Sequence, residues 1–150
     1  MKRVIVVDDC EADRYLIRRT IERRHTGVDF VECPDAPSAL RYFEQAAWFT
    51  QRNYSEYKGD SGEAQGTVLL VDINMPRMNG FQFLDQLQNL MKERQVPANA
   101  LWIAVLSSSR ARQDRARAAG MLVVDECLAK PIELADLDRL VPPSNSGLSA

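Results

Sequence analysis

The sequence predicts an α/β fold, five strand–helix units (βα)₅ with helices on both faces of one parallel sheet. Five apolar runs, at 4–7, 28–33, 67–71, 101–106 and 122–128, alternate with helix-like patterns along the 150 residues. The runs lack the polar alternation of a half-exposed sheet, and Thr67–Val71 is almost wholly aliphatic, as suits strands buried on both faces. Strands that alternate with helices pair in parallel, through right-handed crossovers.

The elements follow in order. Val4–Val7 is the first strand and ends in Asp8-Asp9. Asp9–Arg24 follows as a helix, with Ala12, Leu16, Ile17 and Ile21 on one side and arginines on the other. Asp8 and Asp9 could also serve as its cap. Val28–Cys33 is the second strand. Pro37–Phe49 sets Ala39, Leu40, Phe43 and Ala47 on one face, with Asp35 as a candidate cap and Pro37 in the first turn. Gln51–Gly66 is polar and glycine-bearing, a surface insertion that the fold does not require, pinned at most by Tyr54 and Tyr57. After the third strand, Thr67–Val71, the helix Gly80–Met91 turns Phe81, Leu84, Leu87 and Met91 inward. Leu101–Leu106 is the fourth strand, and Arg112–Ala119 is a helix that stops at Gly120. Leu122–Leu128 is the fifth strand, and Glu133–Leu140 a last helix that ends before Pro142-Pro143. Residues 142–150 form a Pro/Ser/Asn/Gly tail expected to be flexible. Residues 1–141 thus read as one domain carrying the 51–66 insertion.

Composition narrows the function. The chain is 45% hydrophobic and 27% charged, the balance of a globular domain, and its formal net charge of −2 provides no field for nucleic acid or a membrane surface. Arg110, Arg112, Arg115 and Arg117 read as a solvated helix face. Three cysteines at wide spacing suggest neither disulfides nor a zinc site, and Cys10 and Cys33 read as small buried hydrophobes. Trp48, Trp102, Phe81 and Phe83 read as core or half-buried. The apolar run at the N-terminus is too short for a signal peptide or a membrane span, so a cytoplasmic protein is expected.

The chemistry gathers at strand ends. Asp8 and Asp9 close the first strand and Asp72 the third, and sites in open α/β sheets form at the carboxyl ends of strands. If these strands are neighbours, the three carboxylates converge. Each pair at about 5 Å repels by roughly 3 kcal/mol at an effective dielectric of about 20. Such a cluster needs a cation, and hard oxygen ligands favour Mg²⁺. Ser107 after the fourth strand offers a hydroxyl, and Lys130 after the fifth offers an ammonium. Carboxylates, metal, hydroxyl and lysine together make a site for phosphoryl transfer to a carboxylate, with Asp72 as the nucleophile.

The pieces Val6-Val7-Asp8-Asp9, Leu70-Val71-Asp72-Ile73-Asn74-Met75-Pro76 with Met78-Asn79-Gly80, Leu106-Ser107-Ser108 and Lys130-Pro131 occur in this order on these strand ends. In them the chain closely resembles the receiver domains of two-component response regulators, over residues 2 to 141. The resemblance implies a flavodoxin-like sheet of order 2-1-3-4-5. It implies that Asp72 accepts phosphate from a phosphohistidine on a sensor histidine kinase or histidine phosphotransfer protein. Asp9, Asp72 and the main-chain carbonyl of Asn74 would hold Mg²⁺, with Asp8 acting through water. Ser107 would bond the phosphoryl oxygen and Lys130 would pair with it. A cis Lys130-Pro131 bond is implied as well. On this reading the protein is a regulatory phospho-acceptor that catalyses only its own phosphorylation and dephosphorylation. It would act as a stand-alone regulator whose output is protein binding, with the helix 4–strand 5–helix 5 face as a homodimer surface. The 51–66 insertion resembles that of regulators working with bacterial phytochromes. One position departs from the family: Cys127 stands where an aromatic switch residue is common.

Two other functions compete. A haloacid-dehalogenase-type phosphatase also uses a strand-end Asp with Mg²⁺, but wants a second Asp two residues on as general acid, where this chain has Asn74. A degenerate receiver that binds partners without phosphorylation is opposed by the complete acidic set with Ser107 and Lys130.

Overall fold

The computed structural model describes residues 2–57, 66–108 and 112–142. The strands are β1 (Lys2–Val7), β2 (Val28–Cys33), β3 (Thr67–Asp72), β4 (Leu101–Ser107) and β5 (Glu126–Ala129). The helices are α1 (Glu11–Arg24), α2 (Ala36–Gln45), α3 (Gly80–Arg94), α4 (Arg112–Ala119) and α5 (Leu134–Leu140), with one short 3₁₀ turn at Ala98–Ala100. All strand pairs are parallel and the order is β2-β1-β3-β4-β5, the flavodoxin-like arrangement.

Strand alternation splits the core into two layers. Ile5, Val7, Leu69, Val71, Ile103 and Val105 face α2 and α3, where Phe43, Phe81, Phe83, Leu84 and Leu87 meet them. Val4, Val6, Val68, Leu70, Ala104 and Leu106 face α1 and α5, through Ile17, Ile21, Leu137 and Leu140. Each large aliphatic or aromatic side chain so buried contributes about 1.5–3 kcal/mol. Because β1 and β3 are covered on both faces, their registers are fixed, and Val7 pairs with Val71 one step before the acidic residues.

The structure corrects several expectations. The first helix begins at Glu11, not Asp9. The Asp8 carboxylate accepts from the Cys10 N–H at 2.9 Å, which keeps Asp8–Cys10 in a turn ahead of the helix. Cys10 is the N-cap, without a side-chain cap bond, so neither aspartate caps α1, and Cys10 is exposed rather than buried. The buried stripe of α1 is also narrower than expected: Ile17 and Ile21 are inside, whereas Ala12 is exposed and Leu16 is 59% exposed.

The second helix ends at Gln45 rather than Phe49. The Arg94 guanidinium reaches across from α3 to the carbonyls of Phe43 and Glu44 and caps that end. The chain then turns so that Phe49 packs 4.8 Å from the Phe43 ring, with Trp48 edge-on to both, and Ala47 faces solvent.

The fifth strand is shorter than 122–128. Met121–Asp125 forms turns, with Leu122 96% exposed, and Asp125 draws the chain into the sheet only at Glu126. Its N–H donates to the Ile103 carbonyl at 2.8 Å and its carboxylate accepts from the Ile103 N–H at 2.7 Å. Of the 51–66 segment, 51–57 and 66 are described, and they are tied down. Tyr57 lies against Trp102 at 5.2 Å, its N–H donates to the Asn99 carbonyl and its hydroxyl to the Leu140 carbonyl. Residues 58–65 and 143–150 lie outside the described residues, as does Arg110.

Candidate functional site

The site stands at the carboxyl ends of β1, β3, β4 and β5. Asp8 continues β1, and the turn that keeps it there is braced by Arg14, whose guanidinium donates to the Asp8 carbonyl at 2.6 Å. Asp72 is the last residue of β3. The backbone after it folds back at once, because the Gly80 N–H donates to the Ile73 carbonyl at 2.9 Å. Gly80 is required there, since a Cβ would lie 2.6 Å from the Asp72 carbonyl oxygen. Asn79 then starts α3 with a reciprocal capping box with Gln82.

Asp8, Asp9 and Asp72 converge as expected, each offering one carboxylate oxygen within 4.8 Å of the others. Asp8 is 0% and Asp72 3% exposed, whereas Asp9 is open to solvent. The donor set is all oxygen and crowded with negative charge, which fits a hard divalent cation. Asp72 carries the consequence. Burial, and next the Asp8 charge beside it, push its carboxyl up to about 6, although Lys130 and the Asn74 N–H at 3.2 Å pull the other way.

Lys130 follows β5, with its peptide bond to Pro131 cis. Its ammonium stands 2.8 Å from Asp8, 3.1 Å from Asp13 and 3.4 Å from Asp72. Burial lowers its pKa, but the Asp8, Asp72 and Asp13 carboxylates outweigh that and hold it above the ordinary lysine value. Asp13 was not anticipated in the sequence. It lies in the first turn of α1, where an acidic residue is ordinary helix-terminus chemistry and gives no separate signal.

Ser107 ends β4, 4% exposed, and its hydroxyl donates to the Asp114 carboxylate of α4 at 3.2 Å. Asn74 lies in the loop after β3, with its side-chain amide 3.4 Å from the Ser108 hydroxyl. Cys127 is half-buried on β5, directly paired with Val105. Arg117 is not merely solvated, because its guanidinium lies 4.5 Å over the Phe81 ring.

Comparison with known proteins agrees with the fold and gives the family. The family model for the response regulator receiver domain matches residues 4–141. The two-component response regulator ARR15 of Arabidopsis thaliana is 27% identical over 139 residues, 91% of this chain and 59% of that protein. The chain thus spans about six tenths of that plant relative. Among solved structures, a two component response regulator from Cytophaga hutchinsonii superposes with a TM-score of 0.69 at 24% identity, over 93% of each chain. The bacteriophytochrome response regulator AtBRR superposes at 0.64 and 22% identity, covering 94% of this chain and 90% of its own. Both share the fold. With the match running from Val4, the third residue of β1, to the residue after α5, and the acidic strand ends inside it, the chain belongs to the response regulator receiver domain family.

Proposed function

We propose that the chain is a signalling switch that accepts a phosphoryl group on Asp72 from a sensor histidine kinase or a histidine phosphotransfer protein. The observation that carries this is the meeting of Asp8, Asp9, Asp72 and the Lys130 ammonium at one sheet end. In the reaction an Asp72 carboxylate oxygen bonds to phosphorus, the bond from phosphorus to the donor's leaving group breaks, and the leaving group departs with its electron pair. Asp9, Asp72 and the Asn74 carbonyl would hold Mg²⁺, with Asp8 acting through water. Once bound, Mg²⁺ supplies positive charge that offsets both the carboxylates and the phosphoryl oxygens. Lys130 pairs with the phosphoryl group and Ser107 donates its hydroxyl to it.

The receiver family match favours this reading over a phosphatase, and Asn74 offers no general acid at the position that chemistry needs. Output is by protein binding. The α4–β5–α5 face, with exposed Arg112 and Arg115, is the surface proposed for it, including self-association. A bacterial phytochrome is the narrower choice of kinase, suggested by the 51–66 insertion. No helix among the described residues is long and apolar enough to cross a membrane, and Cys10, Cys33 and Cys127 are free thiols, which fits a cytoplasmic setting.

The test is intact mass after incubation with acetyl phosphate and Mg²⁺. The wild-type chain should gain one phosphoryl group and Asp72→Asn none. Phosphate released from many esters would point to the phosphatase, and no reaction at all to the degenerate receiver. Phosphate still gained by Asp72→Asn would overturn the acceptor assignment.

A further inference from the structure

Lys130 is shared by one carboxylate more than the proposed chemistry uses. Asp8 and Asp72 are buried beside it, whereas Asp13 reaches it at 3.1 Å from the first turn of α1 with its side chain 40% exposed. Among the described residues no backbone donor holds the Asp13 carboxylate. It is therefore the partner most easily displaced when a second anion arrives. Asp13 and Lys130 also line one groove of about 110 Å³ between α1 and α5, together with Asp8, Leu16 and Ile132. Besides any bound cation, an anionic phosphoryl donor approaching Asp72 meets the carboxylates of Asp8, Asp9, Asp13 and Asp72 and the Lys130 ammonium.

We propose that Asp13 is a positioning residue for Lys130: it holds the ammonium in the unphosphorylated protein and competes with the phosphoryl group for it. This rests on the phospho-acceptor reading given above. Asp13 thereby tunes how readily the site takes an anionic donor, without touching the reacting atoms. Its effect is felt in donor affinity more than in the bond-making step, because it acts on a charge that donor binding must capture. It weakens with added salt, since Asp13 is partly exposed.

The experiment measures phosphorylation by acetyl phosphate across donor concentration, at low and high salt, for wild type, Asp13→Asn, Asp13→Glu and Glu22→Gln. Glu22 is exposed further along α1, so its variant controls for net charge. Asp13→Asn should lower the half-saturating donor concentration by about threefold, within the range of a partly exposed ion pair. The maximal rate should change little, the difference should shrink at high salt, and Asp13→Glu should restore wild-type behaviour. The Lys130 ammonium resonance in ¹⁵N NMR should move in Asp13→Asn and not in Glu22→Gln. If wild type is phosphorylated and Asp13→Asn matches it in half-saturation and in the Lys130 resonance, the inference fails alone. An effect equal in Glu22→Gln also overturns it, by reducing it to net charge. If wild type takes no phosphoryl group, the acceptor reading fails and this inference with it.

Discussion

The two halves of the sheet's functional rim are built differently. On the β1–β3 side, Asp8 and Asp72 are sunk between two packed layers, and α3 behind them buries six residues, from Gly80 to Met91. On the β4–β5 side, α4 buries only Ala118 and β5 is four residues long, three of them half-buried and one exposed. Few buried contacts mean a low free energy of local opening. The contrast separates two tasks. The acidic half holds charges that repel one another, and only dense packing keeps them together. In the other half β4 is itself buried, but α4 and β5 have little to hold them, so a small change in hydrogen bonding there can move them.

The same substitution should therefore cost very different amounts in the two halves. Gly80→Ala forces a Cβ to 2.6 Å from the Asp72 carbonyl oxygen and 3.0 Å from the Ile73 Cα. It should destabilise by about 3 kcal/mol, because backbone on both sides cannot yield. Gly120→Ala meets nothing closer than 3.5 Å and needs no left-handed backbone. It should stabilise by about 0.5 kcal/mol, through the unfolded chain. Urea denaturation of both variants measures this, and equal losses would abolish the distinction between the halves.

The crowding of charge in the acidic half predicts a pH signature. The Asp72 carboxyl is raised from 3.8 to about 6 in the fold, by burial first and the Asp8 charge second. In the folded state it binds its proton more tightly than in the unfolded chain, so its contribution falls as pH rises from about 4 to 6. Above that window the ionised carboxylate carries its full penalty. Asp72→Asn should then stabilise the metal-free protein by about 2–3 kcal/mol at pH 7 and by almost nothing near pH 4. A gain that is the same at both pH values would show that repulsion is not its source.

The same division explains what could be read from sequence. β1 and β3 were legible because burial on both faces leaves aliphatic runs such as Val68-Leu69-Leu70-Val71, and the aspartates follow directly from where those runs stop. The end of α2 was not, since Trp48 and Phe49 continue an apolar pattern while packing in a turn closed by Arg94 from another helix. The start of β5 was misjudged because Leu122 is apolar yet 96% exposed, and the residue that sets the strand, Asp125, acts through a cross-strand bond. Asp13 and Asp114 escaped notice for one reason: each is an ordinary helix acid until a strand-end donor, Lys130 or Ser107, is placed against it.

A further expected effect concerns Asp114 and tests how the soft half reads the rigid one. In this structure the Ser107 hydroxyl donates to Asp114 at 3.2 Å, across the gap between β4 and α4. A phosphoryl group on Asp72 needs donors, and Ser107 can serve it only by leaving Asp114. The loss of that bond loosens the first turn of α4, a helix that buries only Ala118. Cys127 is too small to fill space as an aromatic residue does, so the signal should travel through this hydrogen bond instead of a ring flip. Asp114→Ala should cost about 1 kcal/mol of stability through the lost bond to Ser107. It should still be phosphorylated, but its α4 backbone resonances should change much less on phosphorylation than those of wild type. Ser107→Ala should likewise accept phosphate and lose the change in α4 and in partner binding or self-association. Cys127→Ala should leave both largely intact. If Cys127→Ala abolished the response while Ser107→Ala and Asp114→Ala kept it, the route from Asp72 to α4 would run through β5 and not through this bond.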